Sequence, residues 1–482
     1  MTYTSRKALL QAPFRKEKDL LGLDDVPAQA LFGIHTVRAI ENFPVANRDV
    51  HPALIHAFGD VKGACAKTSR ALGFWAKDEV KFNAIMTACK EMADGLLDSH
   101  VVVDALQGGA GTSTNMNVNE VLANRAIQIL GGTLGDYIKV HPLDDINLHQ
   151  STNDAYPTAL KLAIIVQIKA LKASLSALIK AFRDKELAFS DVVKIGRTQL
   201  QDAVLTTLGR EMGAYAEALS RDQGRLDRAI EAMLVVNLGG TAIGTGMAAP
   251  EAYIETVAKT LEGMTGYPFV RASNLIDNTQ NADAFVEVSG LMKSCAATLI
   301  KIATDLRLMS SGPDGGLGEI ALPARQAGSS IMPGKVNPVI PETVTQVALR
   351  VIGYDNQVTL AAAMGNLELN AFLPLVADSL LDGIDIMANA MMTFRVKCIE
   401  GITANKNRCH ANVEGSTAIL TALVPMIGYS QSVKILHDAQ EQGKSVRDVV
   451  IDAGHMKVEE FDAMLSPESV NRLGSPLYIN QD

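Results

Sequence analysis

The stretch YPTALKLAIIVQIKALKASLSALIKAFRDKELAF, residues 156–189, decides the fold class. Pro157 lies near its start, where a helix tolerates proline, and apolar residues then recur at steps of three and four for about thirty residues. This period predicts one very long helix. Further stretches with the same pattern are residues 208–239, 283–312 and 341–365.

The length of these helices predicts a bundle. At 1.5 Å per residue the stretch 283–312 would span about 40 Å. Long helices that are apolar on more than one face usually pack against one another, and often do so between subunits. The chain is 48% hydrophobic but only 5% aromatic, which favours helix-on-helix packing over a sandwich or barrel. We therefore expect a mostly α fold.

Changes in sequence texture predict three domains. Residues 1–140 carry short periodic segments broken by turn signals, which indicate an N-terminal domain of mixed but mainly helical structure. Residues 141–397 hold the long helices and predict a central bundle domain. Residues 398–482 carry shorter helical patterns and predict a small helical C-terminal domain.

The charge of the chain argues against several classes of partner. The formal net charge is −9, whereas nucleic acids and anionic membranes bind basic surfaces. Residues 1–22 lack the apolar core of a secretory signal, and no uninterrupted apolar run of about 18 residues predicts a membrane-spanning helix. We expect a cytoplasmic protein without nucleic-acid or membrane partners, and a small anionic substrate is still allowed.

Cysteine and histidine spacing predicts neither a disulfide framework nor a metal site. The cysteines are odd in number and dispersed, without a CxxC pair, and the histidines show no HExxH or HxH spacing. We expect buried, reduced thiols and no metal. The cysteines are Cys65, Cys89, Cys295, Cys398 and Cys409.

Four polar stretches are the candidate functional segments. Each is rich in hydroxyls, side-chain amides and free backbone N–H groups, which hydrogen-bond carboxylates. They are GGAGTSTNMNVNE (108–120), HQSTNDAYPT (149–158), GRTQLQDAV (196–204) and GSSIMPGKVNPVIPE (328–342). The first three are also explained as helix caps or turns. His149 is explained more simply as a structural residue than as an acid or base.

A glycine-rich segment, GGTAIGTG at residues 239–246, looks only superficially like a dinucleotide fingerprint. We expect it to follow a helix, whereas that fingerprint follows a strand. The sequence assigns it no function.

The fourth polar stretch is the hardest to explain as a structural loop. Gly328 and Gly334 make it flexible, and three prolines restrict it. Lys335 can supply a cation and Asn337 an amide, beside an adjacent serine pair. Because a structural loop seldom needs all of these together, we expect a functional loop.

The motif GSSIMPGKVNP resembles the signature of the aspartase/fumarase superfamily. The other three stretches resemble that superfamily's remaining signature regions, in the same order along the chain. The resemblance implies a three-domain fold and a homotetramer, whose core is a bundle of central-domain helices and whose active sites lie where three chains meet. It also implies elimination, without a cofactor, on a succinyl-type substrate that releases fumarate.

Within the superfamily the chain resembles the aspartases more than the fumarate hydratases. LFGIHTVRAIENF (31–43) and VNPVIPE (336–342) have the aspartase form. Fumarases carry a histidine after the threonine of GRTQLQDAV, and that histidine pairs with a glutamate to hold a water. Here the position is Gln199, which cannot act as a general base, although Glu342 matches the glutamate.

We therefore expect elimination of ammonia from L-aspartate. The alternatives are fumarate hydration and a catalytically silent binding protein on the same fold. A silent protein would have no reason to keep Ser329, Lys335 and Asn337 together.

The resemblance also implies a role for each matching residue. Ser329 is the expected base, an alkoxide that removes the Cβ proton and leaves an aci-carboxylate. Asn153 would contact the amino group or the adjacent carboxylate, and Lys335 and Asn337 the α-carboxylate. Arg38 matches an arginine near the site, and a structural ion pair explains it equally well. The residues expected at the carboxylate that takes up the charge are Thr112, Ser151, Thr152 and Thr198.

Overall fold

The computed structural model describes residues 13–474. The chain divides into two compact units. Unit 1 is Met1–Lys172, Gly224–Ala296 and Leu349–Met387, and unit 2 is Ala173–Gln223, Ala297–Ala348 and Ala388–Asp482. The three domains expected from the sequence, 1–140, 141–397 and 398–482, are a different division of the chain and stay a prediction.

The described residues are mostly helical, as predicted. The helices are α1 (Ile34–Asn42), α2 (Pro52–Ala71), α3 (Glu79–Ala93), α4 (Thr112–Ile129), α5 (Thr152–Ala188), α6 (Leu208–Ala232), α7 (Glu251–Thr265), α8 (Leu275–Gln280), α9 (Asp283–Met309), α10 (Val339–Ala363), α11 (Leu373–Lys397), α12 (Lys406–Glu414), α13 (Ile419–Ile427), α14 (Tyr429–Gln442), α15 (Val446–Asp452), α16 (Val458–Met464) and α17 (Pro467–Asn471).

The long helices confirm the period seen in the sequence. Helix α5 has 37 residues, and α6, α9 and α10 have 25, 27 and 25. A fifth long helix, α11, also has 25 residues and was not predicted, although its apolar residues recur with the same period.

The strands form only two-stranded pairs in the described part of the chain. β1–β2, β3–β4 and β7–β8 are antiparallel, and β5–β6 is parallel. The strands are β1 (Phe14–Asp19), β2 (Gly22–Pro27), β3 (Val193–Thr198), β4 (Gln201–Thr207), β5 (Val235–Val236), β6 (Val270–Arg271), β7 (Ile320–Ala321) and β8 (Thr403–Ala404).

Each unit has its own packed core. In unit 1, α2 packs against α3 and α7, and α4 packs against α1 and α3. Phe58, Ala64 and Val118 are fully buried there. In unit 2, the C-terminal helices pack against the β3–β4 hairpin, and Leu423 and Phe461 belong to that apolar cluster. All five cysteines are free and buried, as expected.

One helix in residues 13–474, α5, is long and apolar enough to cross a membrane. This test considers length and composition only, and 44% of the most apolar window of α5 is buried inside the structure. Core helices of water-soluble proteins pass the same test, so the result is weak evidence for a membrane span.

Candidate active site

The start of α5 is fixed by a reciprocal cap. The Ser151 Oγ accepts a hydrogen bond from the Asn153 N–H at 3.2 Å, and the Asp154 Oδ1 accepts one from the Ser151 N–H at 2.9 Å. This is a variant of the capping box, with aspartate in place of glutamate at the third helical position and the serine hydroxyl bound to the second N–H instead of the third. It satisfies two backbone donors and leaves others at the helix start to face an anion.

The start of α4 lies against the first turn of α5. Gly111 precedes α4 with φ +94, and a Cβ there would stand 2.3 Å from the Tyr156 ring. Only glycine allows this approach. The amide of Asn115 donates to the Thr152 Oγ1 at 3.0 Å, and the exposed Thr112 hydroxyl donates to the Gly109 carbonyl at 2.7 Å.

The predicted residues Thr112, Ser151, Thr152 and Asn153 therefore lie in one region of unit 1. Two helix N-termini meet there, and each carries a partial positive charge and free N–H groups. Such a pair of helix ends favours a carboxylate.

A buried lysine lies behind these helix starts. Lys62 is 1% exposed, and its Nζ donates to the Asn147 Oδ1 at 2.9 Å and the Gln150 Oε1 at 2.8 Å. Its partners are neutral amides, and burial lowers the pKa of Lys62 to about 8. The Asn147 Oδ1 also accepts from the amides of Asn115 and Asn119, both at 3.2 Å. The lysine thus anchors the amide network that reaches Thr152.

The glycine-rich segment, residues 239–246, lies beside Asn153. The expectation that it follows a helix and not a strand was wrong, because the short strand β5 lies between α6 and the segment. The Asn153 Nδ2 donates to the Ala242 carbonyl at 2.7 Å. The Asp154 Oδ2 accepts from the backbone N–H groups of Gly239 and Thr241 at 3.0 and 3.1 Å. Desolvation raises the pKa of the Asp154 carboxyl to about 6.

Ser329 is in unit 2, in the signature loop, residues 328–337. Its Oγ accepts hydrogen bonds from the backbone N–H groups of Ile331 at 3.1 Å and Met332 at 3.0 Å. Hydrogen bonds to the charged form of a group lower its pKa. The loop therefore carries, within itself, donors that stabilise a serine alkoxide.

The signature loop is closed at its base. The Gly328 N–H donates to the Lys335 carbonyl at 2.9 Å, and the Asn337 Nδ2 donates to the Gly328 carbonyl at 2.9 Å. The Lys335 side chain is exposed and makes no hydrogen bond or ion pair with any residue in 13–474. It is thus a cation that an anionic substrate can reach.

Thr198 lies at the tip of the β3–β4 hairpin. Gln199 and Leu200 form the turn with φ of +52 and +62, in the left-handed region that suits a two-residue hairpin turn. The stretch GRTQLQDAV is therefore a hairpin tip rather than an isolated turn. Within the described part of unit 2, Thr198 makes no hydrogen bond with Ser329 or Lys335.

A buried ionic cluster lies at the base of this hairpin. Glu319 is 0% exposed and pairs with Lys194 at 3.0 Å and with Arg197 at 2.8 Å. Lys194 also pairs with Glu211 at 2.7 Å. Because Arg197 directly precedes Thr198, this cluster fixes the strand that presents the threonine.

Arg38 is engaged in ion pairs in this structure. Its guanidinium contacts Asp19 at 2.7 Å and Asp24 at 3.2 Å, both in the β1–β2 hairpin. The hydrogen bond from Arg38 lowers the pKa of Asp19. Arg38 also lines a groove of about 590 Å³ that includes Ser113 and His141. The predicted structural ion pair is present, and the predicted substrate contact stays a prediction.

Two further residues of the polar stretches, His149 and Glu342, contact other side chains of the protein. The ring of His149 lies 4.8 Å from that of Phe74, with φ +62 at the backbone, consistent with the expected structural role. The carboxylate of Glu342 lies 3.7 Å from the Arg307 guanidinium. In this structure Arg307 is thus the ion-pair partner of the glutamate that fumarases pair with a histidine.

Lys62 and Asn147 were missed by the sequence analysis, as were the contacts that Asn115 and Asn119 make with Asn147. A lysine among the small apolar residues of GDVKGACA, and asparagines four apart in NMNVNE, were the available signals. No cluster of three or more His, Cys, Asp or Glu side chains suited to a metal occurs within residues 13–474.

Comparison with known proteins identifies the family. A family model described as Lyase matches residues 22–353, and one described as Fumarase C C-terminus matches residues 419–471. An aspartate ammonia-lyase of Pseudomonas canavaninivorans is 49% identical, with 95% of this chain and 97% of the relative covered. One of Bacillus subtilis is 43% identical, with 96% and 97% covered.

Solved structures agree with the sequence relatives. A crystal structure of a fumarate lyase:delta crystallin of Brucella melitensis, bound to cobalt, has a TM-score of 0.91 at 47% identity. The match covers 94% of this chain and 98% of the Brucella melitensis chain. A class II fumarase of Schistosoma mansoni has a TM-score of 0.88 at 33% identity, with 95% and 99% covered. Since the matches extend over nearly the whole length, the chain belongs to the aspartase/fumarase superfamily of lyases.

Proposed function

We propose that this lyase eliminates ammonia from L-aspartate to give fumarate. The proposal rests on one observation: the Ser329 Oγ accepts hydrogen bonds from two backbone N–H groups inside the signature loop. Relatives named aspartate ammonia-lyase, 42–49% identical over about 95% of the chain, support the choice of substrate.

Ser329 acts as the base in this proposal. The Cβ proton of aspartate is weakly acidic, because its removal leaves a carbanion beside a carboxylate. A serine alkoxide is basic enough to remove it, and the Ile331 and Met332 N–H groups lower the free energy of forming that alkoxide. The Cβ–H electron pair moves into the adjacent carboxylate and gives the aci-carboxylate intermediate.

The helix starts of α4 and α5 stabilise this intermediate. Ser151 and Thr152 offer hydroxyl donors where two helix dipoles point at one region, and Thr112 adds a third when its hydroxyl turns from the Gly109 carbonyl to the substrate. Donors fixed before the reaction stabilise charge that develops in the transition state more than charge already present in the substrate. Thr198 contributes a fourth hydroxyl from the hairpin tip.

Asn153 recognises the amino group. Its Nδ2 is engaged with the Ala242 carbonyl, so its Oδ1 is the atom left for substrate. An ammonium group only donates hydrogen bonds, and a carbonyl oxygen only accepts them. The C–N bond then breaks, its electron pair leaves with neutral ammonia, and the double bond of fumarate forms. No acid is required for this departure.

Lys335 and Asn337 hold the α-carboxylate. The exposed Lys335 supplies the cation. One N–H of the Asn337 amide is bound to the Gly328 carbonyl, and the other is available to a carboxylate. Fixing both ends of a small substrate determines which face of Cβ meets the base.

Fumarate hydration is the second candidate function, and the similarity to the Schistosoma mansoni class II fumarase favours it. Gln199 and the Arg307–Glu342 pair oppose it, because neither supplies a base for water. The test is to incubate the protein with L-aspartate and, separately, with L-malate while following the absorbance of fumarate. We expect fumarate from L-aspartate only. Comparable rates on both substrates would contradict the assignment.

The proposal includes a cytoplasmic homotetramer whose active sites each draw residues from three chains. Apolar side chains on the long helices are exposed in the single chain, as expected of helices that pack against other copies. One chain has a mass of 51.4 kDa, and sedimentation equilibrium should give four times this mass. A monomer would contradict the shared site, and cell fractionation tests the compartment. The exposed side chains include Val166, Leu187, Leu349, Leu360, Met392 and Val396.

A further inference from the structure

The mechanism above uses the Ala242 carbonyl of the glycine-rich segment, residues 239–246, and gives no role to the side chain that holds this segment in place. We propose that Asp154 is a positioning residue for the reaction, holding this segment against the start of α5 and so orienting the Asn153 amide toward the substrate amino group. The inference rests on the proposed function and deepens it, since it concerns the choice of an amine over other leaving groups.

The Asp154 carboxylate joins two parts of the chain that are far apart in sequence. It is 0% exposed. One oxygen accepts the Ser151 N–H at 2.9 Å, and the other accepts the Gly239 and Thr241 N–H groups at 3.0 and 3.1 Å. A carboxylate offers acceptors on both oxygens, whereas an asparagine offers them on one. The arrangement therefore requires an acid at this position.

The segment also contacts Asn153 itself. The Ala242 carbonyl accepts from the Asn153 Nδ2 at 2.7 Å. Asn237, which lies just before the segment and is 0% exposed, donates from its Nδ2 to the Asn153 carbonyl at 2.9 Å. Backbone and side chain of Asn153 are thus both held from this side.

The glycines make this contact possible. Gly239 has φ +92, and a Cβ there would stand 3.0 Å from the Ile254 Cα. Gly244 has φ +87, and a Cβ there would stand 2.4 Å from the Ile276 backbone. Glycine alone combines these conformations with such close packing. The motif is therefore explained by backbone geometry and not by a nucleotide phosphate.

The orientation of an amide decides what it recognises. With its Nδ2 held by Ala242, Asn153 presents a hydrogen-bond acceptor to the substrate. An ammonium group needs an acceptor, while a hydroxyl can donate or accept and is indifferent to a flipped amide. Loss of the hydrogen bonds between Asp154 and the segment should therefore lower kcat/KM for L-aspartate more than the affinity for a dicarboxylate that has no amino group.

The experiment compares Asp154→Asn with Asp104→Asn. Asp104 is a matched control, since it is 2% exposed and its carboxylate accepts backbone N–H groups of Ala46 at 3.2 Å, Asn47 at 2.7 Å and Leu106 at 3.0 Å. The measurements are kcat/KM for L-aspartate and the inhibition constant of succinate, which lacks the amino group.

For Asp154→Asn we expect kcat/KM to fall about 10- to 100-fold, the effect of one hydrogen bond to a charged group. The succinate constant should change less than about threefold, because the remaining oxygen of the asparagine can still accept the Ser151 N–H. Asp104→Asn should leave both values near those of the wild type.

An equal loss for both ligands, an equal loss in the control variant, or no loss in Asp154→Asn would each overturn the inference. If Asp154→Asn does not assemble, Asn237→Ala is used in its place, with the same selective loss expected and the same outcomes against it. A wild-type protein that forms no fumarate from L-aspartate would instead overturn the proposed function.

Discussion

At the scale of single residues, buried carboxylates in unit 1 are held by backbone N–H groups. Glu120 is 1% exposed and accepts from the N–H groups of Gly33 at 2.9 Å, His35 at 2.8 Å and Thr36 at 3.2 Å. Desolvation raises its pKa to about 7. The acid thus anchors the start of α1, much as Asp154 anchors the glycine-rich segment.

The raised pKa of Glu120 predicts how stability depends on pH. A carboxyl whose pKa is higher in the folded state, about 7 against 4.5, contributes stability that is present below pH 4.5 and lost as the pH rises through 7. Over this pH range the contribution of Glu120 to the free energy of unfolding changes by about 3 kcal/mol. Glu120→Gln does not ionise, so its Tm relative to wild type should rise between about pH 5 and pH 8.

Thermal unfolding of both proteins at several pH values measures this difference. A difference in Tm that is independent of pH would show that Glu120 does not titrate in this range. His51→Asn provides a comparison of opposite sign, because burial lowers the pKa of His51.

Removal of the proposed base, Ser329, should abolish turnover without loss of structure. Ser329→Ala should lower kcat by several orders of magnitude, since no other group replaces the alkoxide. Ser330→Ala is the matched control, because Ser330 is exposed and the Ile331 and Met332 N–H groups donate to the Oγ of Ser329. Activity of Ser329→Ala within about tenfold of wild type would exclude Ser329 as the base.

Residues in the signature stretches could be predicted from the sequence, and their buried partners could not. Thr112, Ser151 and Thr152 lie in recognisable polar stretches. Lys62 meets Asn147 across 85 positions of sequence, and nothing local in either segment indicates that they meet. A buried polar contact of this kind depends on the tertiary fold.

At the scale of elements, the signature loop depends on a tight approach at its base. A Cβ on Gly328 would stand 2.6 Å from the Lys335 carbonyl oxygen and 2.9 Å from the backbone nitrogen of Asn337. Gly328→Ala should therefore open the base of the loop and displace Ser329. Because a displacement of about 1 Å can reduce activity about 100-fold, we expect a loss of that size in kcat/KM.

Gly315→Ala is the control for this prediction. A Cβ at Gly315 meets nothing within 4 Å, so the variant should keep nearly full activity. Far-UV circular dichroism should be unchanged for both variants. Wild-type activity in Gly328→Ala would show that the loop tolerates an open base.

The helices could be predicted from the sequence, whereas the small strands could not. A period of 3.6 sustained over about 25 residues is a strong signal, and α5, α6, α9 and α10 were found by it. The β3–β4 hairpin was missed because its register shifts between Ile195 and Arg197, which breaks the alternation expected of a strand. Its turn also uses Gln199 and Leu200 where glycine or asparagine is the usual signal.

At the scale of the whole molecule, the proposed active site made of several chains predicts complementation between inactive variants. Thr198→Ala and Ser329→Ala are each expected to be inactive. After they are denatured and refolded together, hybrid tetramers should contain some sites that take Thr198 from one variant and Ser329 from the other. Those sites are intact, so a substantial fraction of activity should return.

The control is to mix the two variants without denaturation, which should leave them inactive until subunits exchange. If all residues of a site came from one chain, every site would keep one defect. Hybrids that are correctly refolded and still inactive would therefore exclude the site made of several chains.

Helix α5 also has a consequence for the synthesis of the protein. The ribosome completes residues 152–188 before any residue after 188 exists, and this segment is apolar enough for a bilayer. A nascent chain of that length presents a surface that chaperones bind and that promotes aggregation. Other residues of the chain cover part of this surface, and further copies would cover more of it in the proposed homotetramer. The yield of folded protein is therefore expected to fall when chaperones are limiting during translation, even if the finished protein is stable.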